Sequence, residues 1–380
     1  VAPKCEGNAW KCTGPGYEEN ETSCDGFDND CDGLIDEGCP PCTVPLAKIQ
    51  QNLGSIWDID FDFACNTYLT SLISGPDFTR VVPFDTTKAV NTYFGNANQN
   101  MGFGLVDPDP NKRRVVVSYA CGNNSCQATN GLTLLYTCAP SDPGCGSTGQ
   151  ANCPGFLNQP FLPTVAPTKT ALTFNGFEVG VPTGLAVATG SRYFAGNYRP
   201  LTCNASAACK PCDPDHLGVF CSVGESCCDS SPFGRLAEFT LPEPGKPPTF
   251  RIARVIEGEQ IFGLAGGRDG SVWVGTYVSP TKGNLYRYDP FYNILTLIES
   301  FGGAIFSITQ ERRSGDWYIE TRTTPKIVRL AEFGAPLPLP ATVPADPANQ
   351  GVLQAGPDGK LYRLIGRIDT NSTLNVYELP

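Results

Sequence analysis

Three segments near the end of this chain are variants of one another, and that repetition constrains the fold more than any other feature. They are "IFGLAGGRDGSVWVGTYVSPTKGNLYRYDPFYNILTLIESFGG", "AIFSITQERRSGDWYIETRTTPKIVRLAEF" and "GVLQAGPDGKLYRLIGRIDTNSTLNVYEL". Each reads as an apolar strand, a turn with Gly (RDGS, RSGD, PDGK), an aromatic-bearing strand, a polar turn and a further strand. Trp273 and Trp317 are 44 residues apart, and Trp317 and Tyr362 are 45 apart. A fixed period of about 40–50 residues with about four strands per unit is the signature of a propeller blade.

The same pattern continues upstream. "TGLAVATGSRYFAGNY" opens a unit that "FGRLAEFTL" and "FRIARVIEG" complete, with the cysteine-rich residues 200–232 as an insertion. "MGFGLVDPDPNKRRVVVSYA" opens another, with "GLTLLYTCAP" as its third strand and "TALTFNGFE" as its fourth. "SIWDIDFDF" opens the first. The pattern predicts an all-β chain, a six-bladed β-propeller with blades beginning near residues 54, 101, 181, 260, 303 and 349. The last unit is one strand short, and "PLAKIQQNLG", residues 45–54, is expected to supply the missing strand. Closing the ring in this way removes two strand edges that template aggregation. The blades with DGx-aromatic turns look like the NHL and lactonase-like group of secreted propellers. That resemblance covers residues 45–380 and implies the fold; one such fold hosts many activities.

The chain holds 18 cysteines and one methionine. The cysteines fall in three groups of six: residues 5–42, 65–153 and 203–228. Even counts in loop-like context argue for disulfides, hence an oxidising compartment and a secreted or cell-surface protein. Six cysteines allow about 15 pairings, and spacing does not choose among them. In "CKPCDPDH", Cys209, Cys212 and His216 resemble half a zinc site. His216 is the one histidine, and the crowding of cysteines around it favours a disulfide-stapled surface loop. No apolar run approaches the ~18 residues that span a bilayer. "VAPKCEGNAW" is not a signal peptide, and the expectation is a mature chain whose signal has been removed. Sequons at Asn20, Asn123, Asn204 and Asn371 permit glycosylation.

The net charge of −11 argues against a nucleic-acid partner. Its distribution divides the chain. Residues 1–43 carry ten acids against Lys4 and Lys11, a net −8. The remainder has 28 acids and 25 bases. The expected domains are an acidic, disulfide-rich module over 1–43 and a propeller over 44–380, with the boundary at "CPPCTVP". A segment so acidic repels itself unless cations neutralise it.

Within the module, Asp28, Asp30 and Asp32 occupy alternate positions and Gly33 follows. That is the first half of a calcium loop, with oxygen ligands at positions 1, 3 and 5 and glycine at 6 for the sharp turn. The backbone carbonyl of Leu34 falls at position 7 and Asp36 at position 9. Position 12, where an EF-hand has a bidentate Glu, is Cys39, and no helix-forming run flanks the loop. The pattern resembles the calcium loops of thrombospondin type 3 repeats. "CDGFDNDCDGLIDEGC", residues 24–39, is closer still to the MopE-type metal-binding motif of secreted bacterial proteins. The resemblance implies Asp28, Asp30, Asp32 and Asp36 as ligands of Ca2+, with Asp25 filling the missing position. It also implies that Cys31 pairs with Cys24 or Cys39 to staple the loop. Magnesium demands tighter octahedral geometry, and copper favours histidine, which the loop lacks.

A catalytic constellation is harder to find. Lyase-type propellers rely on histidines, and His216 lies in an inserted loop. Lactonase-like propellers resemble a different plan, a channel calcium held by carboxylates and Asn from inner strands. The candidate inner strands "IWDIDFDF", "GFGLVD", "LAVATG", "FGLAGG", "FSITQE" and "VLQAG" offer Asp58, Asp60, Asp62, Asp107 and Glu311. Asp60 and Asp62 alternate and share a face. The simpler expectation is that these carboxylates satisfy backbone donors or face solvent at strand ends. There is no G-x-S-x-G elbow, and the Gly-rich pieces lack a P-loop context.

Two functions from different classes follow. The first is a secreted structural or interaction protein, without enzyme activity, whose module docks on a further copy, an extracellular protein or a glycan. Head-to-tail docking of copies builds rings or filaments. The second is a calcium-dependent lactonase- or esterase-like hydrolase with a channel site. The first is preferred.

Overall fold

The computed structural model describes residues 251–365 and 373–379 throughout, with Glu18 and Thr249. It also describes the side chains of residues 58–61, 184–188, 192–196 and 234–240, and the backbone of the remaining strands named below. Among the described residues all regular structure is β and all pairing is antiparallel.

A hairpin of β1 (Pro3–Glu6) and β2 (Ala9–Cys12) comes first. Six sheets follow in chain order. The first holds β3 (Ser55–Phe61), β4 (Thr67–Ile73) and β5 (Phe78–Phe84). The second holds β6 (Asn100–Val106), β7 (Arg114–Ala120), β8 (Gly131–Tyr136) and β9 (Gln159–Pro160). A small hairpin of β10 (Thr173–Phe174) and β11 (Phe177–Glu178) separates it from the third sheet. The third begins with β12 (Val181–Ala188) and β13 (Arg192–Tyr198). The inserted hairpin of β14 (Thr202–Asn204) and β15 (Ser226–Cys228) interrupts it, and β16 (Phe233–Thr240) and β17 (Phe250–Glu257) complete it. The fourth holds β18 (Gln260–Gly266), β19 (Val272–Tyr277), β20 (Gly283–Asp289) and β21 (Ile294–Phe301). The fifth holds β22 (Ile305–Gln310), β23 (Trp317–Thr321), β24 (Ile327–Leu330) and β25 (Pro336–Leu337). The sixth holds β26 (Gly351–Ala355), β27 (Lys360–Ile365) and β28 (Thr373–Glu378).

The first strands of successive sheets touch in order, β3 to β6 to β12 to β18 to β22 to β26, and β26 returns to β3. This is the plan of a β-propeller, with each first strand on the inside. The first strands begin within two residues of the positions the sequence repeat predicts. The sixth sheet has three described strands, as expected, while the proposed closing segment 45–54 lies outside the described residues.

Burial explains the strand composition. Middle strands are covered on both faces by neighbouring sheets, so "VWVGTY" and "WYIET" are buried along nearly their whole length. The outer strand β21 alternates between exposed and half-buried residues instead. Among the described residues, four apolar clusters fill gaps between sheets. Leu264, Val272 and Val274 meet Ala186, Phe194 and Leu236 between the third and fourth sheets. Trp273 and Leu285 meet Ile305, Ile308, Trp317 and Ile319 between the fourth and fifth. Tyr318 and Ile327 meet Leu353 and Leu361 between the fifth and sixth. Val352, Tyr362 and Leu364 meet Ile59 and Phe61, joining the last sheet to the first. Burying each such large side chain contributes about 1.5–3 kcal/mol.

The sequence repeat is corrected in one respect. Trp273 lies opposite Ala265, Tyr318 opposite Thr309 and Tyr362 opposite Gln354. Each of the three faces the following sheet. The structural counterpart of Trp273 is therefore Tyr318, and Trp317 faces backward to stack on Trp273. A second correction concerns the second sheet. Its fourth strand is β9, whereas "TALTFNGFE" forms the separate β10–β11 hairpin.

Among the described residues, the turns after β18, β22 and β26 share one design. Gly270, Gly315 and Gly359 have φ of 78°, 79° and 76°, the left-handed conformation that glycine adopts without steric cost. Asp269 and Asp358 each cap their turn by accepting from the backbone of Ser271 and Lys360. On this same end, Arg268 reaches from the fourth sheet to Glu332 of the fifth in a two-pronged ion pair of 2.7 and 2.8 Å. That pairing is the main reason its guanidinium pKa is raised.

Candidate functional site

The inner strands carry the candidate channel residues. β3 positions Asp58 and Asp60, both half-buried, between the buried Ile59 and Phe61. Asp60 Oδ1 accepts from Gln354 Nε2 on β26 at 2.9 Å and from its neighbour Phe61 N at 2.9 Å. The carboxylate thus ties the first inner strand to the last. On β22, Ser307 Oγ accepts from Leu353 N at 2.9 Å and donates to Leu353 O at 3.1 Å. Thr309 Oγ1 accepts from Ala355 N at 2.9 Å. These hydroxyls satisfy inner-edge backbone groups of β26 that no neighbouring strand of its own sheet reaches.

Glu311 is buried just past the end of β22. Its oxygens accept from Arg313 N at 3.1 Å and Ser314 N at 2.6 Å, so it caps the β22–β23 turn. The expectation that these carboxylates satisfy backbone donors or face solvent at strand ends is met at Asp60 and Glu311 by backbone donors, while the Asp60–Gln354 bond between strands goes beyond it. Asp62 and Asp107 lie outside the described residues. So do all the calcium-loop candidates, Asp25, Asp28, Asp30, Asp32, Leu34 and Asp36, and the Cys209–His216 cluster. Asn204 ends β14, and the other three sequons lie outside the described residues.

Two features escape sequence reasoning. The first is a bulge near the start of five of the six first strands, where the register steps past Trp57, Gly102 with Phe103, Thr183, Phe262 and Phe306. A bulge re-aims the residue it contains. The ring of Phe262 meets that of Phe306 at 5.5 Å and that of Tyr277 at 6.0 Å. The recurrence of an aromatic directly before Asp, Gly or Ser in four of these strands is the signal that marks it.

The second is a buried polar network around Glu259, which precedes β18. Its carboxylate accepts from Thr276 Oγ1 at 2.5 Å, Asn284 Nδ2 at 2.7 Å and Tyr286 OH at 2.6 Å. Ser300 Oγ donates to Asn284 Oδ1 at 2.7 Å. Burial and the hydrogen bond to Glu259 push the Tyr286 phenol up to about 12. A phenol so held stays protonated near neutrality, and the network joins β19, β20 and β21 to the residue that precedes β18. Its members come from separate turns and strands, so no local motif announces them.

No family model matches the chain, and no curated protein matches it. Solved structures resemble it at low identity. A glucose dehydrogenase is 13% identical, with 87% of this chain and 98% of that chain covered and a TM-score of 0.47. The Cps50 (Swd1) β-propeller domain of Myceliophteria thermophila is 12% identical over 86% of this chain and 84% of that chain, with a TM-score of 0.45. An oligogalacturonate lyase in complex with manganese is 11% identical over 85% of this chain and 76% of that chain, with a TM-score of 0.41. The fold assignment rests on the sheet order and the closed circuit of contacts described above, not on these likenesses.

Proposed function

We propose that the chain is a secreted, six-bladed β-propeller with a structural role, which self-assembles through the acidic, calcium-binding module of residues 1–43. The observation that carries this reading is the use made of the inner-strand polar groups. Asp60, Gln354, Ser307, Thr309 and Glu311 each hold a neighbouring strand or turn, so they stiffen the ring. A rigid ring suits a building block. Six sheets with a closed order of first-strand contacts support six blades. Calcium is supported by the alternation of Asp28, Asp30 and Asp32 before Gly33, where hard oxygen ligands and a tight turn coincide.

Calorimetric titration of the metal-free full chain with calcium tests the metal assignment. Saturable binding is expected, weakened at least about tenfold by Asp30→Ala, which removes one oxygen ligand. Equal affinity in the variant would overturn the placement of the ion.

A further inference from the structure

Among the described residues, large apolar side chains stand exposed at the turn between β20 and β21 and near it. Phe291 and Tyr292 are 81% and 69% exposed in the turn between β20 and β21. The turn is held at both ends. Asp289 Oδ1 accepts from Phe291 N at 2.9 Å and Tyr292 N at 3.0 Å. Asn293 takes a left-handed φ of 56° and accepts from Tyr288 OH at 2.8 Å. The two aromatic rings stand edge to face at 4.8 Å. Ile294 and Leu297 are also exposed, on opposite faces of β21, and Phe333 is exposed on the loop whose Gly334 packs against Ile298. Large exposed aromatics on a rigid turn lose little conformational entropy on binding, as interface anchors do.

Arginines border the turn. Arg192 of β13 donates to the Pro290 carbonyl at 3.2 Å and to Glu238 at 2.5 Å. Arg251 of β17 pairs with the other oxygen of Glu238. Arg254 lies over the Tyr288 ring, 5.7 Å from its centroid. The two carboxylates of this region are committed: Glu238 is buried between two arginines and Asp289 is held by turn amides. Arg192, Arg251 and Arg254 outnumber Glu238 and Asp289, which leaves a small positive excess beside the aromatics on a chain whose net charge is −11.

We propose that this surface is the docking site for the acidic residues 1–43 of a second copy of the chain; the inference rests on the self-assembly reading above. The module carries net −8, and Phe27, Leu34 and Ile35 are interspersed among its acids. It thus offers the opposite charge to the arginines and apolar groups for the aromatics. Every copy carries both halves of such a contact, which is heterologous and propagates into a ring or filament.

Sedimentation velocity on full-length chains in calcium tests this. The variants are Phe291→Ser/Tyr292→Ser, which alters exposed side chains only, and Glu18→Lys/Glu19→Lys/Glu21→Lys, which spares the calcium loop. Both are expected to weaken self-association at least about tenfold, the scale of losing interface anchors. Unchanged association in the aromatic variant overturns the docking surface and leaves the assembly reading standing. Loss in the aromatic variant alone overturns the module as occupant and favours another acidic partner, such as a polysaccharide. A wild-type chain that stays monomeric overturns the assembly reading and the docking site with it.

Discussion

Arg363 and Glu320 form an ion pair whose two side chains have no exposed surface. Arg363 Nε donates to Oε2 at 2.9 Å and Nη2 to Oε1 at 2.7 Å. The same carboxylate accepts from Gly351 N at 2.6 Å, and Arg363 also donates to the Asn349 carbonyl. The pair joins β23 to β27 and fixes the start of the inner strand β26. Removing one member leaves the other charge buried without its counter-ion, which costs about 3–5 kcal/mol. Arg363→Ala is therefore expected to lower unfolding free energy by about that amount, read from urea midpoints. Pairing Arg363→Met with Glu320→Gln should cost less than the two single changes added together. Strict additivity would contradict the coupling.

Trp273 and Trp317 stack with centroids 4.3 Å apart and planes inclined at 22°, both almost fully buried. Trp317 Nε1 also donates to the Glu332 carbonyl at 3.2 Å. Trp317→Ala opens a cavity between the fourth and fifth sheets, at a cost of about 3–5 kcal/mol. Thermal unfolding reads the loss, and a melting temperature equal to that of the wild type would contradict it.

Within the 203–228 cysteine group, the strand register permits one of the pairings that spacing left open. Cys203 and Cys227 stand directly opposite each other on β14 and β15. Opposed residues of an antiparallel pair have Cα atoms about 4.5–5.5 Å apart, inside the range a disulfide spans. A Cys203–Cys227 bridge is expected in a non-reducing digest analysed by mass spectrometry. Pairing of Cys203 with Cys209, Cys212, Cys221 or Cys228 would refute it.

Alkaline pH should weaken the propeller in a defined window. Burial pushes the Tyr318 phenol up to about 12, with Arg329 opposing and Asp316 reinforcing. Tyr286 is also raised to about 12, by burial and then by Glu259. Both start from 10.0, so the folded state holds these protons more tightly than the unfolded chain does. The stability they contribute is complete below about pH 10 and is lost as pH rises through about 12. Tyrosinate absorbance and denaturant unfolding across that range check this. Phenols that all ionise near pH 10 in the folded state would contradict it.

The inner strands β18, β22 and β26 were legible because each is an apolar run followed by a turn with a left-handed glycine, at Gly270, Gly315 and Gly359. Matching by residue type misled at Trp317. Side chains alternate across a strand, so a one-residue slip moves a residue to the other face. Register, not chemistry, makes Tyr318 the repeat position. β9 was hidden for a different reason: a two-residue outer strand ending in Pro160 has no periodicity to read. The bonds that tie blades together were beyond reach as well. Ser307 meets Leu353 across 46 residues and Asp60 meets Gln354 across 294, and neither pairing leaves a local mark. The acidic loop lies outside the described residues, and its reading as a calcium site is a proposal from spacing alone, since calcium needs its oxygen ligands at set intervals around one tight turn.

The central claim is calcium-dependent assembly through the acidic module. Light scattering of the native full-length chain, before and after calcium is removed with a chelator, tests it most directly. A multimeric mass that falls to that of a single chain, and recovers when calcium is restored, is the predicted result. A mass that stays the same with and without calcium would contradict the account.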